Sequence, residues 1–110
     1  MIRVEFVITD NKILAFSVSG HAGLAPAPHD ILCASVSAMT QLVINTVTDV
    51  FQADAELEID EQKPLIRARF ISVPNGNDAA VQGVLRGFLV QLEAFADQYP
   101  SHVSVREKRK

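Results

Sequence analysis

From Val81 to Tyr99 the apolar residues Val81, Val84, Leu85, Phe88, Leu89, Leu92, Phe95, Ala96 and Tyr99 recur at the i, i+3, i+4, i+7 spacing of one helical stripe. Such a stripe is stable only when another element covers it, so the rest of the chain must supply a sheet or further helices. Pro74-Asn75-Gly76 breaks the chain before this helix and Pro100 ends it. Core packing accounts for its apolar residues, and it is assigned no chemistry.

The partner surface reads as strands. Ile2, Val4, Phe6 and Ile8 alternate with Arg3, Glu5 and Val7, the period of two that marks a strand. Asp10-Asn11 is a turn pair, after which Leu14, Phe16 and Val18 alternate again and complete a hairpin. No Gly or Pro falls between Asp30 and Phe51, which predicts a long helix capped by Asp30, with Ile31, Ser35/Ala38, Met39, Leu42, Val43 and Val50 as its recurring positions. Ala55, Leu57 and Ile59 against Glu56, Glu58 and Asp60 form a half-exposed strand. A turn at 61–64 leads to another strand over 65–73, and Val103 and Val105 mark a short last one. The order is ββαββαβ, an α+β domain with a mainly antiparallel sheet and two long helices on one face. At 110 residues the chain is one domain.

Charge and cysteine use narrow the function. The net charge is −3, yet the last five residues, Arg106 to Lys110, hold four bases and one acid, which leaves −6 on the body. An acidic body is a poor phosphate-binding surface, so direct nucleic-acid binding is not expected, and residues 105–110 read as a solvated basic tail. One cysteine excludes an intramolecular disulfide and, with three scattered histidines, a cysteine-based zinc site. The apolar stretches read as broken short of a membrane span, and MIRVEFVITD lacks the apolar block of a signal peptide. These features predict a soluble cytoplasmic protein.

Chemistry concentrates between the second strand and the first helix. Residues 20–33 hold His21, His29, Asp30 and Cys33, two of the three histidines and the only cysteine. With Asp30 as cap, Cys33 falls in the first helical turn, where unpaired N–H groups and the dipole favour a thiolate and can hold an oxyanion. A histidine in reach completes a Cys–His pair that takes and returns a proton. Each residue also has a plainer reading. Cys33 can be a small buried hydrophobe, Gly20 a strand-end glycine with positive φ, Asp30 a cap and no more, His21 and His29 exposed loop residues, and His102 surface.

Two segments, Gly20-His21-Ala22-Gly23 and Asp30-Ile31-Leu32-Cys33-Ala34-Ser35-Val36-Ser37-Ala38-Met39-Thr40-Gln41, with Asn45 beyond them, resemble the ribosomal-processing cysteine protease family, Prp. That family's pattern is GHA, a loop, then D-I-V-C-A-x-V-S-A-L, with twelve positions from His to Cys, as between His21 and Cys33. Tyr99-Pro100 followed by Val103 and Val105 resembles the family's YP-x-x-V close. One position departs: Pro28 stands where the family has glycine two residues before the aspartate.

The resemblance implies a cysteine endopeptidase that removes a short N-terminal extension from a large-subunit ribosomal protein, works as a homodimer and needs no cofactor or metal. It implies Cys33 as nucleophile and His21 as general base and acid, with Asp30, Ser37 and Gly20 in support. His29 matches no functional position. Two other classes fit the residues: a non-catalytic ribosome-associated binding protein in which Cys33 is structural, and a thiol enzyme acting on a non-protein substrate.

Overall fold

The computed structural model describes residues 1–20, 27–60, 62 and 65–110, with residues 27–30 described through their backbone alone. Strand β1 (Ile2–Thr9) turns into β2 (Lys12–Ser19) through Asp10 and Asn11, whose φ angles are 51° and 63°. Two consecutive left-handed residues make the tight turn whose twist matches that of paired strands. Ile2, Val4, Phe6 and Ile8 are all buried.

In β2 the expected phase is corrected. Val7 pairs with Ala15 but Ile8 pairs with Ile13, so Leu14 is the extra residue of a bulge. Ile13 turns into the core and Leu14 outward. The bulge interrupts the ladder, and Gln82 restores the hydrogen bonds of Ile13: its Nε2 donates to the Ile13 carbonyl at 2.9 Å, and the Ile13 N–H donates to Oε1 at 2.8 Å.

Strands β3 (Asp54–Asp60), β4 (Leu65–Ser72) and β5 (Val103–Arg109) complete a five-stranded sheet of order β3-β4-β2-β1-β5. All neighbours are antiparallel except β1 and β5, which run parallel. With α1 (Ala27–Asn45) and α2 (Asp78–Gln98), the element order is the ββαββαβ that the sequence predicts. The basic end differs from the solvated tail expected at 105–110. It is strand, in register with β1 as far as Ile8 opposite Arg109. Pairing with β1 satisfies the backbone groups on one side of it, and Lys108 meets Glu5 at 3.5 Å while Arg109 meets Glu107 at 3.0 Å. A charged edge strand also resists pairing with another sheet.

Helix α2 packs as its stripe dictates. Val81, Leu85, Phe88, Leu89 and Leu92 are buried, and Phe88 meets Phe6 and Phe16 edge-on at centroid distances of 5.8 and 5.1 Å. Helix α1 packs on a different face from the one the sequence suggested. Leu32, Val36, Val43 and Ile44 are buried, whereas Ile31 and Leu42 are 67% and 66% exposed. A π-helical turn, Thr46–Val50, extends it and buries Val47. The view that no stretch reaches membrane-spanning length is also corrected, since Ile31–Val50 does so by length and hydropathy. A third of that stretch is buried, and its buried side belongs to the hydrophobic core.

Candidate active site

Helix α1 starts at Ala27, three residues before the expected cap. Pro28 is tolerated because the first turn's N–H groups have no intrahelical acceptor in any case. Asp30 is therefore inside the helix, so its expected role as N-cap is corrected; its side chain lies outside the described residues. Cys33 becomes the seventh helical residue, in the second turn. Backbone N–H groups there are committed to the helix, and the dipole's reach ends within the first turn. The helix terminus is thus not what would activate the thiol or hold an oxyanion.

The Cys33 side chain is half-buried and packs against the core cluster. Ser37 lies four residues on, one turn further along the same face, and is exposed. It lines a cavity of 330 Å³ with Val18, Gly20, Gln41, Ile59 and Ile66. This groove starts one helical turn beyond Cys33 and runs between α1 and the β3–β4 end of the sheet. Its floor is the part of the helix-bearing sheet face that neither helix covers, which is why Ile59 is 61% exposed.

Gly20 closes β2 with φ of 86°. A side chain there would be strained by the backbone conformation and would collide with the Met1 carbonyl. The expectation of a strand-end glycine with positive φ is met, and the same residue also lines the groove. His21 follows it in sequence and, with the loop through Pro26, lies outside the described residues, as does the side chain of His29. His102 is half-buried rather than on the surface, and its carbonyl accepts the Ile2 N–H at 2.8 Å where β5 begins. Among the described residues no group of three or more His, Cys, Asp or Glu side chains comes together.

The structure thus brings Gly20 and Ser37 to one groove, with Cys33 one turn from it. Sequence reasoning missed Gln41, although the spacing 33, 37, 41 was there to be seen. It also missed the β3 and β4 residues, which only long-range strand pairing brings opposite α1.

Comparison with known proteins fixes the class. The fold matches a crystal structure of a Streptococcus mutans protein with a TM-score of 0.89 at 23% identity, covering 100% of this chain and 96% of that one. It matches the ribosomal processing protease Prp of S. aureus, solved with a substrate peptide, with a TM-score of 0.84 at 24% identity, covering 98% and 100%. At these identities the likeness is one of fold. In sequence, the ribosomal processing cysteine protease Prp of Staphylococcus aureus is 28% identical over 109 residues, 98% of this chain and 100% of that protein. The family model described as cysteine protease Prp matches residues 1–104. The chain is a cysteine protease. It belongs to the Prp family.

Proposed function

We propose that this protease removes a short N-terminal extension from a large-subunit ribosomal protein, in the cytoplasm where that protein is made. The reading rests on one observation: the only cysteine of a Prp-family chain stands on a helix, one turn from the Ser37 that lines an open groove. It draws support from the Staphylococcus aureus relative, which is named for ribosomal processing. The S. aureus Prp was also solved with a covalently linked product peptide.

In this reading Cys33 is the nucleophile and His21 the base and acid. His21 takes the thiol proton, and Sγ attacks the peptide carbonyl carbon. His21 returns the proton to the departing amine as the C–N bond breaks, leaving an acyl thioester. Water, deprotonated by His21, then attacks the thioester, and the thiolate leaves. Asp30, Ser37 and Gly20 support this pair, Gly20 by carrying the chain from β2 to His21. The working unit is a homodimer, for which the exposed apolar residues Ile31, Leu42 and Leu57 offer contact surface.

The test is to incubate the purified protein with the same organism's ribosomal protein precursors and identify shortened products by mass spectrometry. Wild type should shorten one large-subunit precursor, and His21→Ala should leave it uncut. A full set of precursors untouched by the wild type would overturn the proposal. If His29→Ala abolishes cleavage and His21→Ala does not, the base has been misassigned.

A further inference from the structure

The hydroxyl groups of the long helix divide unequally. Ser35, Thr40, Thr46 and Thr48 each donate back to the carbonyl four residues earlier, at 2.7–2.8 Å. Ser37 makes no such bond, and its exposed side chain lines the groove instead. One turn further, the Gln41 amide is also exposed, lines the same groove and has no hydrogen-bond partner among the described residues. An amide at that place can donate to one peptide group and accept from another. The same cavity has an aliphatic floor of Val18, Ile59 and Ile66, and Leu65 and Asp60 also line it.

Distances along the helix turn this into a register. Eight residues separate Cys33 from Gln41, a rise of about 12 Å. An extended polypeptide covers that span in between three and four residues, at about 3.3 Å each. We infer that Gln41 is a substrate-positioning residue. It holds the backbone of the extended substrate three to four residues from the scissile bond, while Ile59 and the floor beneath it take an apolar side chain at the same position. The inference rests on the peptidase reading above and adds to it the place and chemistry of a remote subsite.

The experiment compares Gln41→Ala, Ile59→Ser and wild type on synthetic peptides. One peptide spans the cleavage site of the same organism's ribosomal protein precursor with six residues on each side, and two others are trimmed to two residues on one side or the other. Both substitutions are at exposed positions, and thermal melts of the variants should overlay wild type. On the long peptide, Gln41→Ala should raise KM about fivefold with kcat nearly unchanged, the loss of a hydrogen bond made equally in ground and transition states. With one of the trimmed peptides, wild type should weaken to the level of the variant, and Gln41→Ala should lose nothing more. Ile59→Ser should follow the same pattern. A Gln41→Ala defect of equal size on all three peptides, or on none, overturns the inference while Cys33-dependent cleavage leaves the proposed function standing. If wild type cuts none of the peptides, both fall.

Discussion

The two helices of this domain lie on the same sheet but divide its tasks. Helix α2 buries Val81, Leu85, Phe88, Leu89 and Leu92 of its stripe and leaves Tyr99 exposed just past its end, and its polar side chains tie it to the first hairpin through Gln82 on Ile13, Arg86 on Asn11 and Lys12 on Asp78. Helix α1 carries apolar residues on more than one side, buries one of them, and leaves Ile31 and Leu42 in solvent. Ser37 and Gln41 face the groove from it. A helix committed to packing has one face to satisfy, whereas a helix that carries a site has two or three.

That contrast can be broken by substitution, beginning with the largest expected effect. Cys33→Ala should abolish cleavage and leave the melting curve almost in place, because alanine suits a helix and only the sulfur is lost. Processing by the purified variant would sink the assignment of the nucleophile. In α2 the reverse should hold: Phe88→Ala should cost about 3–5 kcal/mol in urea unfolding, since it empties a fully packed aromatic contact. Less than 1 kcal/mol there would mean that α2 is not the structural helix of the pair. Between these, Gly20→Ala should cost about 1–3 kcal/mol through its left-handed φ and its collision with Met1. Val90→Ser, on the exposed side of α2, should shift stability by no more than about 0.5 kcal/mol.

The smallest effect concerns the link between α2 and the hairpin. The hydrogen bond to Asp78, and after it that carboxylate's charge, holds the Lys12 ammonium above its ordinary value of 10.5. A group raised in the folded state contributes its stability in full below the unfolded value and loses it as pH rises through the folded one. The small Tm difference between wild type and Asp78→Asn should therefore persist up to about pH 10.5 and close above it. Salt should shrink it too, because both side chains are more than half exposed. A difference that survives strong alkali would assign the link to something other than this pair.

The same contrast explains how much could be read from sequence. The buried face of α2 was legible because its large apolar residues, the exposed Val90 excepted, occupy one stripe. In α1, Ile31 and Leu42 are as apolar as Leu32 and Val43, so periodicity could not choose between adjacent faces, and the sheet made the choice. The helix start was misjudged for a related reason. Asp30 is a good cap and Pro28 a conventional barrier, yet a proline inside the first turn costs no hydrogen bond. The bulge at Leu14 left no periodic mark, and its compensation by Gln82 comes from 69 residues away. Gly20 and Ser37, which line the groove, were singled out by local motif. Ile59 and Ile66 were not, because strand pairing rather than sequence proximity brings them to the groove.

The parallel pairing of β1 with β5 joins the beginning of the domain to its end. Ile2 lies beside Val103, about a hundred residues later in the chain. While the polypeptide is being made, β1 and β2 can form their hairpin early, but one edge of β1 stays open until β5 has left the ribosome. The sheet is then completed only after synthesis of the domain is all but finished. A sheet built this way cannot be assembled in its final form on a partly made chain.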